Sequence, residues 1–134
     1  MVATFGRRGT VPGEPNGRFV RRRALAALAA YYLASGCWPL VSMRSFEALT
    51  GPKTDRWLVK MVGALAVANG AALAFGTMQD EIADETIVLA ACSALAFASI
   101  DLVYVARGRI SVAYLGDAAL ELALAATILA SASS

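Results

Sequence analysis

The chain has 134 residues, a net charge of +2 and no histidine; 58% of its residues are hydrophobic and 16% are charged. A soluble domain is about half apolar and about a quarter charged, so the surplus apolar surface calls for lipid as its solvent. The weak charge gives no footing for nucleic acid, and the missing histidine removes the commonest metal ligand and near-neutral base. Cys37 and Cys92 stand far apart with no CxxC pair, so no metal or cofactor site is expected.

Residues 1–23 read as a flexible basic tail. Gly6, Gly9, Pro12, Gly13, Pro15 and Gly17 punctuate it, and Arg18 and Arg21 to Arg23 end it. The remainder, 24–134, reads as one transmembrane domain. Its first apolar block, 24–43, is rich in Ala and Leu, and Trp38-Pro39 predicts a kink or a last-turn break near its end. Basic residues, an apolar run and Ala34-Ser35-Gly36-Cys37 also have the outline of a lipoprotein signal. Three further membrane blocks would then follow a lipid anchor, which favours reading 24–43 as a helix.

The connection Arg44–Arg56 is the longest. Phe46 and Leu49 are apolar among polar neighbours, which places its first half on the membrane surface; Thr50-Gly51-Pro52 turns the chain, and Thr54 is an N-cap candidate. In block two, 57–77, Gly63, Val67, Gly70 and Ala74 form a stripe of mostly small residues that lets helix backbones approach in lipid, within one bundle or between two copies. Asn69 near its middle is expected to bond a neighbouring helix. Met78–Glu85 is an acidic loop, with Asp84 or Glu85 near the start of block three, 86–106. Arg107-Gly108-Arg109 makes a tight basic turn before block four, 110–130.

Each block has roughly 20 residues, enough to cross a hydrocarbon core about 30 Å thick at about 1.5 Å per residue. Backbone groups in lipid must bond within their own segment. The fold class that follows is all-α, an antiparallel bundle of four transmembrane helices with both termini on one side. The positive-inside rule does not orient it. Arg7, Arg8, Arg18, Arg21, Arg22 and Arg23 stand on the terminal side, against Arg44, Lys53, Arg56, Lys60, Arg107 and Arg109 opposite.

Three acids lie inside the apolar blocks: Asp101, Asp117 and Glu121. A charged group at the bilayer centre costs roughly 2.5–3.5 kcal/mol even on the mildest scale, so such residues face the bundle interior. Asp101 lies about 8 Å from the end of its helix and Asp117 about 10 Å into the next. Glu121 follows Asp117 by one turn on the same face, near mid-membrane. Ala94 and Ala98 lead to Asp101 along one stripe and leave space beside it. The three acids make the floor of a polar funnel, with Tyr104, Tyr114, Arg107 and Arg109 at its mouth. A basic group is expected near Asp101 or Asp117. On depth alone, Glu121→Leu should be neutral or favourable for insertion.

The run Ser45–Lys60 resembles a stretch of small bacterial four-helix membrane proteins to which no activity is assigned. So do Asp101-Leu102-Val103-Tyr104 with Gly108-Arg109-Ile110, and Tyr114-Leu115 with Asp117 and Glu121. A looser likeness, in helix number and buried acids, is to DoxX-like bundles. The resemblance implies a multi-pass protein of a bacterial cytoplasmic (inner) membrane and no activity.

The functional expectation is a non-enzymatic protein that binds a small lipophilic ligand, an ion or a proton at Asp101, Asp117 and Glu121. The alternatives are a membrane enzyme using Asp117 and Glu121 as an acid/base pair on a lipophilic substrate, or an assembly subunit in which the acids only pair helices. The expected partners are the bilayer, such a ligand and, through the small-residue stripe, a second copy of the chain.

Overall fold

A computed structural model describes residues 15–132. It contains helices α1 (Pro15–Val41), α2 (Met43–Thr50), α3 (Arg56–Thr77), α4 (Asp84–Ala106) and α5 (Ala113–Ala132). All but α2 are long and apolar enough to cross a membrane. Large side chains such as Leu65, Phe75 and Val88 face outward, where water would penalise them and lipid would not. The protein is therefore an all-α, multi-pass helical bundle.

Helix boundaries differ from the sequence expectation in places, each with a physical reason. Helix α1 starts at Pro15, so residues 15–23 of the expected tail are helical; residues 1–14 lie outside the described residues. The same segment is tied down by two consecutive arginines. Arg22 donates to the carbonyls of Thr77, Gln79 and Asp80, and Arg21 to that of Ser131. The last carbonyls of a helix lack intrahelical partners, so these guanidinium groups close the ends of α3 and α5. These contacts also set the start of α1 beside the ends of α3 and α5, which makes both pairs antiparallel.

Pro39 lies inside α1, which continues to Val41. Helix α3 begins after Asp55 and not after a capping Thr54, and no side chain caps it. Helix α4 begins at Asp84 with Glu85 in its first turn. It ends in a Schellman turn: the Arg109 amide donates to Tyr104 O at 2.9 Å and the Gly108 amide to Val105 O at 3.0 Å. Gly108 has φ +67°, a left-handed conformation that glycine adopts without a Cβ clash. Helix α5 then waits until Ala113, whose amide donates to Ser111 Oγ at 3.2 Å.

The helices stand in the ring order α1, α3, α4, α5, with α1 and α3 in the most extensive contact and α3 and α4 in the least among neighbours. Close approach explains the first. A Cβ on Gly36 would lie 2.5 Å from the Gly63 carbonyl oxygen, and one on Gly63 would lie 2.7 Å from that of Gly36. The small-residue stripe of α3 thus packs on α1 within the bundle. Leu25, Leu28, Leu73, Ala90, Ala94, Ala125 and Ile128 fill the core of the half nearest the chain ends. Toward α2 the helices part.

Candidate functional site: a carboxyl-floored cavity

The parted half encloses a cavity of about 840 Å³, lined by residues of all five helices. Its walls are largely apolar and aromatic, and its polar groups converge from α1, α4 and α5.

The end of the cavity is covered by α2. Phe46, Leu49 and Thr50 line it from this short helix, while Leu49 is also 57% exposed. Phe46 packs edge-on against Trp38 with centroids 5.6 Å apart, and Trp38 Nε1 donates to Ser45 Oγ at 2.8 Å. Behind α2, Arg56 forms a two-pronged pair with Glu47: Nε to Oε1 at 3.0 Å and Nη2 to Oε2 at 3.0 Å. The Lys53 amide adds a bond to Glu47 Oε1 at 3.2 Å. The Arg56 hydrogen bonds hold the Glu47 carboxyl below its ordinary 4.5, against a smaller opposing effect of desolvation, with help from Lys53.

One side of the cavity lies along the loose seam between α3 and α4. Leu58, Val62 and Leu65 of α3 and Ile100 of α4 line the cavity, and all four are exposed, Leu65 by 60% and Ile100 by 57%. All four lie within helices long and apolar enough to span a membrane. One end of the seam is bridged by Asn69 Nδ2, which donates to Ser93 Oγ at 3.4 Å; this is the neighbouring-helix bond expected of Asn69.

The floor carries the three acids. Tyr32 donates its hydroxyl hydrogen to Glu121 Oε2 at 2.9 Å, and both residues are 1% exposed. Tyr31 donates to Asp117 Oδ1. Consecutive residues of a helix point about 100° apart, which lets Tyr31 and Tyr32 reach two acids one turn apart on α5. The Tyr32 ring also packs on Phe97, with centroids 5.5 Å apart. Asp101 is 6% exposed and lines the cavity from α4. Its Oδ2 is buried with no hydrogen-bond partner among the described residues.

Of the residues expected at the site, Asp101, Asp117, Glu121 and Tyr114 line the cavity. Tyr104, Arg107 and Arg109 do not, and all three are exposed. The Schellman turn at Gly108 ends α4 before these arginines can fold back over the bundle. Among the described residues no arginine pairs with Asp101 or Asp117, and the one ion pair is Arg56–Glu47. At Asp117 a tyrosine hydroxyl from α1 takes the place expected for a basic group, and a second one meets Glu121. Lys53 reaches the cavity, but its Nζ donates to Thr50 O at 3.1 Å and lies 5.2 Å from the centroid of the Tyr114 ring. Sequence reasoning missed Tyr31 and Tyr32. The signal was their place: tyrosine in a span favours the interface, whereas these two stand in the middle of the first apolar block, where a buried hydroxyl needs a partner.

Among the described residues no three acidic, cysteine or histidine side chains converge as metal ligands. The arrangement can instead hold an apolar body against the walls and accept hydrogen bonds from its head at the floor. No family model, curated protein or solved structure matches the chain, so the likeness to DoxX-like bundles adds nothing to the reading of the site.

Proposed function

We propose that this protein binds a lipophilic small molecule, taken from the bilayer through the α3–α4 seam, with the ligand's polar head at Asp101, Asp117 and Glu121. The observation that carries the reading is the cavity of about 840 Å³, apolar along its walls, carboxyl-bearing at its floor and lined at the α3–α4 seam by the exposed Leu65 and Ile100. Ligand pockets commonly combine apolar walls with a few convergent polar groups. A purely structural role for the acids is less favoured, since helix-pairing residues would all be paired and Asp101 Oδ2 is not. The enzymatic alternative draws on the buried Tyr32–Glu121 pair, which could donate and accept a proton at a bound lipophile. The all-helical spans support residence in a cytoplasmic membrane, because outer membranes carry closed β-barrels.

Thermal unfolding in mild detergent against a panel of neutral lipophiles, cyclododecanol among them, tests the binding. Gly116 lines the cavity, and a Cβ there meets nothing within 4 Å, so Gly116→Phe fills the space without a backbone clash. The expected result is a saturable upward shift in the native protein that disappears in Gly116→Phe. No shift with any compound, or equal shifts in the two proteins, contradicts the reading.

A further inference from the structure

We infer that the ligand's head group is an organic ammonium, held by the Asp101 carboxyl; this rests on the reading of the cavity as a lipophile site. Three observations converge. Asp101 Oδ2 is the unsatisfied group of the floor: the residue is 6% exposed, it lines the cavity, and that oxygen has no partner among the described residues. Glu121 and Asp117 each already accept a tyrosine hydroxyl. A buried polar oxygen without a donor is costly, so the head group that belongs here brings a hydrogen to donate.

The charge balance narrows the donor. The floor has three carboxyl groups and no arginine or lysine paired with any of them among the described residues. The cation that reaches the cavity, Lys53, is turned to Thr50 and the Tyr114 ring. A hydrogen bond from a charged donor to a carboxylate is about twice as strong as a neutral one, which favours an ammonium over a hydroxyl. The rings of Tyr31, Trp38 and Phe97 also line the space, and aromatic faces attract such cations. A bare metal ion fits less well, since no three potential ligand side chains converge among the described residues and hard cations gather several oxygens at short range. Entry from the bilayer through the α3–α4 seam selects for a cation on a lipophilic frame.

Cyclododecylamine and cyclododecanol share one carbon skeleton and differ in the head. Their equilibrium binding to the full chain in phosphatidylcholine nanodiscs, each corrected for partition into empty discs, separates the inference from the reading it rests on. The expected result is amine binding tighter than alcohol binding by roughly tenfold or more. In Asp101→Asn the preference should collapse, the amine losing far more affinity than the alcohol, and saturable binding of the alcohol to the variant shows that the cavity persists. Asp101→Ala serves where the amide does not fold. Equal binding of amine and alcohol to the native protein overturns the ammonium assignment and leaves the lipophile site standing. Binding of neither overturns both. Displacement of the amine by sodium chloride but not by choline chloride at the same ionic strength reassigns Asp101 to a metal cation and likewise overturns the inference.

Discussion

The Tyr32–Glu121 pair predicts a sign that the depth of Glu121 alone gets wrong. Replacing Glu121 by leucine removes a polar group from the membrane interior, which on depth alone is neutral or favourable. Glu121 is 1% exposed, however, so it faces the bundle and not lipid, and Tyr32 is 1% exposed with its hydroxyl directed at Oε2 at 2.9 Å. Glu121→Leu therefore strands a buried hydroxyl, at a cost of about 1–3 kcal/mol. Glu121→Gln keeps an acceptor oxygen on a side chain of the same shape and should unfold near the native protein. Tyr32→Phe in the Glu121→Leu background removes the stranded group, and the double variant should recover most of the loss. Reversible unfolding in mixed detergent micelles measures these proteins and Tyr32→Phe alone, and the double-mutant cycle of the native chain, Glu121→Leu, Tyr32→Phe and the double variant isolates the pair. If Glu121→Leu is as stable as the native chain, or if adding Tyr32→Phe recovers nothing, the pairing does not govern stability here.

Gly36→Ala forces a Cβ to within 2.5 Å of the Gly63 carbonyl oxygen and should destabilise the bundle by about 1–3 kcal/mol in the same unfolding assay. Gly116→Ala, whose Cβ meets nothing within 4 Å, should be neutral or gain up to about 1 kcal/mol of helix propensity. Arg22→Gln removes charged donors from the end of α3, and hydrogen exchange at residues 75–80 should accelerate while that at α4 is unchanged. Glu47 has its folded-state value lowered from 4.5 by Arg56, so the stabilisation that this pair gives α2 is present above 4.5 and is lost as pH falls through the folded value. Trp38 emission, which reports the contact with Phe46, should shift in that acid range in the native protein and lack the step in Glu47→Gln.

The four spans were legible because apolar runs of spanning length have few other uses, and the inward facing of Asp101 and Glu121 followed from the cost of showing an acid to lipid. What the acids touch was not legible. A buried carboxyl needs a donor, and reading that donor as a basic group assumed that charge must meet charge; Tyr31 and Tyr32 supply neutral hydroxyls from a helix far away in sequence. The stripe at Gly63 and Gly70 announced close packing, but only the ring order of the helices names α1 as the partner. Arg21 and Arg22 read only as the end of a basic tail because the carbonyl ends they close belong to α3 and α5. Helix α2 is eight residues long, and its apolar face has meaning only beside the cavity it covers. The Arg107-Gly108-Arg109 turn did carry its own signal, since glycine just past an apolar helix marks a left-handed stop, which turns those arginines away from the floor.

The claim on which the rest depends is that the cavity takes a lipophile from the bilayer, and Trp38 stands in its lining to report it. The protein has two tryptophans, and the other, Trp57, is 61% exposed and outside the lining. In the Trp57→Phe variant in nanodiscs, titration with bromocyclododecane should quench Trp38 emission along a saturating curve, and adding Gly116→Phe should abolish the saturating component. Quenching that only rises in proportion to the probe dissolved in the bilayer, or a saturating component untouched by Gly116→Phe, would contradict the account.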